Sequence, residues 1–156
     1  EHDKNTLWQG LLDDRLDVIA TDHAPHTIEE KGQSYLNAPS GGPLVQHALL
    51  AMLDKVEEGK ISIEKVVEKM AHAPAVCFKI NDRGYIREGY YADLVVVKKQ
   101  ATTVSKENIL YKCGWSPFEG HTFNYSVDKT FINGQLAYSK DEKITQKFGQ
   151  RLTFNR

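Results

Sequence analysis

The sequence has few cysteines, no long apolar run and no excess of charge of either sign. Its two cysteines, Cys77 and Cys113, are too far apart for a CxxC motif and too few for a disulfide framework. No apolar run approaches the ~20 residues of a membrane-spanning helix. The 20 basic and 21 acidic side chains nearly cancel, which argues against a protein that binds nucleic acid or a membrane surface. We therefore expect a cytoplasmic protein.

The beginning of the chain lacks two further features. Glu1-His2-Asp3 contains no initiator methionine, and no signal-peptide pattern of basic, apolar and small residues follows. The length of 156 residues corresponds to about one domain. We expect this chain to be a piece of a longer protein.

Apolar periodicity predicts several helices in the first half of the chain. Apolar residues at helical spacing mark residues 1–15 and about 44–57, and Gly59 is a typical residue to end the second helix. Ser62 is a suitable N-cap for a third helix. Pro74 suits the first turn of a short fourth one.

A short apolar run, Asp17–Thr21, lies between the first two predicted helices. A run that is apolar on both faces predicts a strand buried in a parallel sheet. Parallel α/β folds place their chemistry just past the carboxyl ends of such strands, and Asp22, His23 and His26 follow there. The polar residues 27–43 are predicted to form a long functional loop.

The second half changes to a β pattern. Residues 92–97 predict a buried strand, and residues 130–138 predict a hairpin whose two-residue turn is Asn133-Gly134. The predicted fold class is therefore α/β with a boundary near residue 80. Residues 1–80 would belong to an α/β layer and residues 81–156 to a small β domain.

Asp22, His23 and His26 form the candidate site. An ionised aspartate at the end of a buried strand can bind a divalent metal ion or act as a general base. Spacing alone leaves equally open that Asp22 caps the following turn and that the histidines make local hydrogen bonds. His47 lies off the apolar face of its helix and is expected to be solvated. Cys77 is expected to pack in the core.

Several motifs follow one another over nearly all of the chain. They are Thr21-Asp22-His23-Ala24-Pro25-His26, Pro39-Ser40-Gly41-Gly42-Pro43, Gly84-Tyr85-Ile86 with Gly89, Ala92-Asp93-Leu94, Trp115-Ser116-Pro117-Phe118-Glu119-Gly120 and Asn133-Gly134. Together they resemble the dihydroorotase family of the amidohydrolase superfamily. The first motif is the most specific, and it favours dihydroorotase over hydantoinase or allantoinase.

This resemblance implies a fold and a set of site residues. The fold would be the C-terminal part of a metal-dependent (β/α)8 TIM-barrel amidohydrolase, with a small β-sandwich-like domain. Asp22 matches the family's metal-binding aspartate, which also acts as general base and acid. His26 matches the histidine that binds the substrate carboxylate, and Ser40 and Gly41 fall where backbone groups contact the pyrimidine ring. His23 is expected to support these residues rather than bind substrate.

The resemblance also implies a reaction and a cofactor. The reaction would be the reversible, zinc-dependent cyclisation of N-carbamoyl-L-aspartate to dihydroorotate in pyrimidine biosynthesis. One or two zinc ions would polarise the ring carbonyl, and Asp22 would carry the proton to the leaving nitrogen. A catalytic zinc has about three protein ligands, and the sequence has no His-x-His pair. We therefore expect most ligands outside this chain, which should be inactive alone.

Two other interpretations remain open. The first is another cyclic amidase, similar to hydantoinase or allantoinase. The second is a non-catalytic homologue that acts as a scaffold for aspartate transcarbamoylase, although retention of Asp22 and His26 argues against it. For the enzyme, the resemblance implies a small-molecule substrate, a homo-oligomer and aspartate transcarbamoylase as a candidate partner.

Overall fold

The computed structural model describes residues 1–155. They contain short helices and short strands, in agreement with the predicted α/β class. The helices are α1 (His2–Leu12), α2 (Ile28–Lys31), α3 (Ala48–Glu57), α4 (Ile63–Val67) and α5 (Ala73–Cys77), with a π-helical turn at Glu68–His72. The strands are β1 (Leu94–Lys98), β2 (Thr102–Thr103), β3 (Thr122–Phe123), β4 (Ser126–Ile132) and β5 (Gln135–Ser139). None of the described helices is long and apolar enough to cross a membrane.

The chain divides into two compact units, each built from segments distant in sequence. The first contains residues 1–19, 58–98 and those from 127 onward, and the second contains residues 20–57 and 99–126. Residue 80 lies within the first unit, where Ile80 pairs with Phe154. Assignment of residues 1–80 to a barrel and 81–156 to a β domain remains a prediction.

The first unit contains the two later predicted helices as one continuous helical segment. It begins at Ser62, as predicted, where the Ser62 hydroxyl accepts a hydrogen bond from Lys65 N at 3.2 Å. Pro74 lies in the first turn of α5, also as predicted. Because α5 continues the π-helical turn without a break, Pro74 lies inside the continuous helical segment and not at a free helix start.

The buried Lys69 connects this helical segment to the residues just ahead of the candidate site. Its Nζ donates to Leu16 O at 2.7 Å and lies 2.9 Å from Asp14 Oδ1. Lys65 Nζ donates to the same Asp14 oxygen at 2.8 Å. Hydrogen bonds from both lysines lower the pKa of Asp14 to about 2. A buried ammonium group needs such partners because desolvation disfavours its charge.

Strands β4 and β5 form the predicted hairpin in the first unit. They pair in antiparallel register from Lys129 with Ser139 to Ile132 with Gln135, with an irregularity after Thr130. Both turn residues, Asn133-Gly134, have positive φ angles of 53° and 77°. This conformation fits the right-handed twist of the paired strands.

Strand β1 occupies one edge of a three-stranded sheet whose order is β1-β4-β5. It confirms the strand predicted at residues 92–97 but not its burial. Val95 and Val96 are 49% and 41% exposed, because no element of the described chain covers them.

The predicted buried strand at Asp17–Thr21 does not form. This segment is irregular, Asp17 and Ala20 are exposed, and Val18 and Ile19 are only half-buried. Ile19 N donates to Lys69 O of the helical segment at 3.0 Å instead of to a neighbouring strand. A strand needs partners along its edges, and within residues 1–155 none pairs with this segment.

Three further predictions need correction. Helix α3 begins at Ala48 rather than near residue 44. His47 is 3% exposed, not solvated, because it packs against the rings of Phe118 and Phe123 from a segment distant in sequence. Cys77 is exposed rather than packed in the core, since it ends α5 on a surface left uncovered.

The second unit has a small core around Phe123, which is 1% exposed. Strands β2 and β3 pair in antiparallel register there. Asp54 of α3 is buried nearby, and its Oδ1 accepts from Asn124 N and Nδ2, both at 3.0 Å. Because hydrogen bonds satisfy this carboxylate, its burial is tolerated. All of the candidate site residues lie in this unit.

Candidate functional site

Asp22 directly follows the irregular segment Asp17–Thr21 and is the first residue of the candidate site. It is exposed and has a φ angle of 44°, a left-handed conformation that aspartate adopts more readily than most residues. Within residues 1–155, its carboxylate makes no hydrogen bond or ion pair. The carboxylate is therefore free to bind a ligand or to exchange a proton.

The loop at Ser40-Gly41 is held directly against the residues that follow Asp22. His23 and Gly42 form a parallel bridge, and Ala24 N donates to Gly42 O at 3.1 Å. Gly41 has a φ angle of 86°, and a Cβ at this position would lie 2.7 Å from Ala24 Cβ. Only glycine allows this approach without a shift of the chain. The structure thus brings Asp22 and the Ser40-Gly41 loop together.

Lys31 stabilises this loop by hydrogen bonds to two of its backbone carbonyl groups. Its Nζ donates to Pro39 O at 2.7 Å and to Gly41 O at 3.0 Å. Lys31 is the last residue of α2, a short helix within the segment predicted to be a polar loop. The loop conformation therefore depends on α2, whose N-cap Thr27 directly follows His26.

The side chain of His26 is tied to α2. Its Nδ1 lies 3.2 Å from Glu30 Oε2, and the same oxygen accepts from Thr27 N at 2.9 Å. The Thr27 hydroxyl in turn accepts from Glu30 N at 3.3 Å. These reciprocal bonds form a capping box, which satisfies free N–H groups at the start of the helix.

His23 has a different partner. Its Nδ1 accepts hydrogen bonds from Leu44 N at 3.1 Å and Val45 N at 3.4 Å. Because a backbone N–H can only donate, Nδ1 carries the lone pair and Nε2 carries the proton. His23 therefore supports the chain that follows the loop.

A second segment, residues 108–118, supports the site from the other side. Trp115 Nε1 donates to His26 O at 2.8 Å. The Tyr111 hydroxyl accepts from Gln46 N at 2.7 Å, and its ring centroid lies 5.3 Å from that of His23. Burial raises the pKa of Tyr111, so the hydroxyl keeps its proton. This segment fixes the backbone on both sides of the loop.

His47 is a structural neighbour of the site rather than a solvated residue. Ser116 Oγ lies 3.1 Å from its Nδ1, and its ring stacks on Phe123 with centroids 5.8 Å apart. Burial lowers the pKa of His47, which favours the neutral imidazole at neutral pH. A neutral ring in this position stabilises the core of the unit.

The donor set tests whether the described residues can hold a zinc ion by themselves. Asp22 offers a carboxylate, which is a suitable ligand. Within residues 1–155, however, no group of three or more His, Cys, Asp or Glu side chains could hold a metal ion. A catalytic zinc has about three protein ligands. The residues of this chain therefore do not make up a zinc site without further ligands.

The structure brings Asp22, His26, Ser40 and Gly41 into one unit, but sequence reasoning missed the residues that hold them. Glu30 was predicted only as part of the polar loop 27–43, and Trp115 was noted only as part of a motif. The spacing Thr27-x-x-Glu30 is a capping-box signature that could have indicated α2. No local signal could have indicated the contact between Trp115 and His26, which are 89 residues apart.

Comparisons with known proteins agree on the relationships of this chain. It is 37% identical over 153 residues to a dihydroorotase of Pyrococcus horikoshii, covering 97% of this chain and 35% of that protein. It is 38% identical over 155 residues to the multifunctional protein pyr1-3 of Dictyostelium discoideum, covering 97% of this chain and 6% of that protein. The chain thus spans about a third of the length of the dihydroorotase and 6% of the length of the multifunctional protein.

A solved structure and a family model complete the comparison. An L-hydantoinase (dihydropyrimidinase) from Arthrobacter aurescens superposes with a TM-score of 0.82 at 28% identity, covering 94% of this chain and 34% of that one. The model of the amidohydrolase family matches residues 1–137. That match covers far more than half of the sequence. The chain belongs to the amidohydrolase family.

Proposed function

We propose that this chain is the C-terminal part of a dihydroorotase. The enzyme interconverts N-carbamoyl-L-aspartate and dihydroorotate by closing or opening a cyclic amide in pyrimidine biosynthesis. One observation carries the proposal: the chain is 37% identical to a dihydroorotase over nearly its whole length, and its Ser40-Gly41 loop lies against the residues that follow Asp22.

Asp22 is the proposed proton carrier. Its carboxylate is exposed and has no partner among residues 1–155, so it can accept a proton from the attacking water and release it again. Ring opening needs that proton on the departing amide nitrogen, because an unprotonated amide anion is a poor leaving group. One carboxylate can perform both transfers in sequence, first as base and then as acid.

His26, Ser40 and Gly41 are the proposed substrate-binding residues. A histidine N–H suits the carboxylate that both substrates bear. The loop at Ser40-Gly41 lies beside the chain that follows Asp22 and can offer backbone groups to the amide edges of the ring. Contacts with His26 and with the Ser40-Gly41 loop would together orient the ring carbonyl relative to Asp22.

One or two zinc ions belong to the proposed enzyme. Zinc, when bound, polarises carbonyl groups and stabilises developing negative charge. Asp22 would be one ligand, and the remaining ligands would come from residues outside this chain. Asp22 would carry the proton, and His26, Ser40 and Gly41 would contact the substrate, whichever residues complete the zinc site.

The fold and the assembly of the whole enzyme are also part of the proposal. The chain would complete a (β/α)8 TIM barrel and contribute to a small β-sandwich-like domain of a cytoplasmic homo-oligomer. The similarity to a multifunctional protein supports association with another enzyme of the same pathway, for which aspartate transcarbamoylase is the candidate.

A substrate comparison with the complete enzyme tests the proposal. We expect hydrolysis of dihydroorotate and cyclisation of N-carbamoyl-L-aspartate, and loss of both after zinc is removed by a chelator. Turnover of hydantoin or dihydrouracil at a higher kcat/KM than dihydroorotate would contradict it. Absence of any turnover by zinc-loaded enzyme would instead favour the non-catalytic scaffold.

A hydantoinase-like cyclic amidase is the second candidate, favoured by the L-hydantoinase with which the chain superposes. The two candidates differ in the substituent on the ring, since dihydroorotate carries a carboxylate and the parent hydantoin and dihydrouracil rings do not. His26 therefore separates them. Its replacement should affect only an enzyme whose substrate carries that carboxylate.

A further inference from the structure

Glu30 contacts one of the two nitrogens of the His26 ring, Nδ1. The distance from His26 Nδ1 to Glu30 Oε2 is 3.2 Å, and 35% of the His26 side chain is exposed. The backbone of His26 is fixed separately, by Trp115 Nε1 at its carbonyl. Ring and backbone are thus both restrained before any substrate binds.

The contact with Glu30 determines where the proton of the ring must be. An ionised carboxylate can only accept hydrogen bonds, so the His26 Nδ1 in contact with it must carry a proton. A neutral ring would then have only a lone pair at Nε2, which repels a second carboxylate. To donate to a substrate carboxylate at Nε2, the ring must therefore be protonated at both nitrogens.

The other charged groups of α2 do not compete for this ring. Lys31 Nζ donates to Pro39 O and Gly41 O, which directs its charge to the loop. Glu29 is exposed, and its backbone N–H and the Thr27 hydroxyl lower its pKa. Trp115, the contact from the other segment, is uncharged. Glu30 is the acidic partner in contact with the His26 ring.

We propose that Glu30 is a positioning residue that orients the His26 ring through Nδ1, so that Nε2 is the nitrogen available to the carboxylate of the substrate. The inference rests on the proposed function. The ring would bridge two carboxylates, one from Glu30 and one from the substrate. Charge-assisted hydrogen bonds of this kind are about twice as strong as neutral ones. Glu30 would thereby favour carboxylate-bearing rings over neutral ones.

Kinetics of the complete enzyme test this role with Glu30→Gln. Glutamine also fits the third position of a capping box, so α2 is retained while the charge is lost. We expect the KM for dihydroorotate to rise about 3- to 10-fold with kcat nearly unchanged. Glu30→Ala, which also removes the contact, should raise KM further. The matched control is Glu29→Gln, which removes the same charge one residue away and should leave KM unchanged.

The outcomes separate this inference from the proposed function. Equal KM values for wild type and both Glu30 variants would overturn the inference, as would an equal rise in Glu29→Gln. A wild-type enzyme without activity on dihydroorotate would instead overturn the proposed function. In that case ¹⁵N NMR of histidine-labelled enzyme still reports on Glu30. We expect His26 Nδ1 to be protonated in wild type and this preference to be lost in Glu30→Ala, whereas an unchanged spectrum would overturn the inference.

Discussion

The hairpin Ser126–Ser139 and the segment Asp17–His26 differ in where their partners lie. The two strands of the hairpin pair with each other through a two-residue turn, so each strand has its partner close in sequence, and the predicted structure forms. The segment Asp17–Thr21 has the pattern of a buried strand but has no strand partner within residues 1–155. A pattern indicates the environment a segment requires, whereas the fold depends on whether that environment is present.

The two regions also differ in what holds them. Asn133 in the hairpin turn is fixed by Asp93 Oδ1 at its N–H, 2.8 Å away, and by Arg83 Nη2 at its side-chain oxygen, 2.6 Å away. In the site, Asp22 is exposed and His26 is half-buried. We therefore expect changes in the hairpin to reduce stability, and changes at the site to reduce activity with little effect on stability.

The largest expected effect is that of Asp22→Asn on turnover. In the complete enzyme, kcat for dihydroorotate should fall by at least the ~10²–10⁴-fold typical of losing a general acid–base group. The amide still accepts hydrogen bonds but cannot carry the proton. Steady-state assays measure kcat, and urea denaturation should show unchanged stability.

The matched control for Asp22→Asn is Asp17→Asn. Asp17 is also exposed and lies five residues upstream, so its charge is removed without touching the site. Its kcat should equal that of wild type. Near-normal kcat in Asp22→Asn would show that Asp22 is not the proton carrier.

The next largest effect is that of His26→Ala on substrate binding. Loss of a hydrogen bond between a charged donor and the substrate carboxylate should raise KM for dihydroorotate by about 10- to 100-fold. The value of kcat should change much less. His2→Ala at the exposed beginning of α1 is the control. An unchanged KM would remove His26 from the binding role.

Local features were predictable from the sequence, and non-local contacts were not. The Ser62 N-cap, Pro74 and the Asn133-Gly134 turn depend on residues within about four positions. The burial of His47 depends on Phe118 and Phe123, more than 70 positions away, and no periodicity encodes it. Asp22 and His26 were identified through the resemblance, because their spacing alone is equally typical of a local turn.

A third prediction concerns stability in the hairpin. Asn133→Ala should lower the free energy of unfolding by about 2 kcal/mol, since Arg83 loses a hydrogen-bond partner and alanine tolerates the positive φ less well. Urea denaturation measures the change. Asn37→Ala in the exposed loop should have little effect. If Asn133→Ala and Asn37→Ala lowered the free energy of unfolding equally, the expected difference in stability between the hairpin and the site loop would be contradicted.

The smallest expected effect is the acid sensitivity contributed by Asp14. Its pKa is lowered from 3.8 to about 2 by Lys65 and Lys69. Because the folded pKa is the lower one, this contact stabilises the protein fully above pH ~4 and is lost as the pH falls towards 2. Asp14→Asn should therefore show a shallower loss of stability between pH 4 and 2 in urea denaturation. An unchanged pH dependence would contradict this assignment.

Our central proposal is that this chain would supply the proton carrier and the carboxylate-binding histidine of a site whose other ligands come from residues outside it. The most direct test measures zinc content and dihydroorotate turnover for the purified 156-residue chain and for the complete enzyme. We expect bound zinc and turnover only in the complete enzyme. Stoichiometric zinc together with turnover in the 156-residue chain alone would contradict the account.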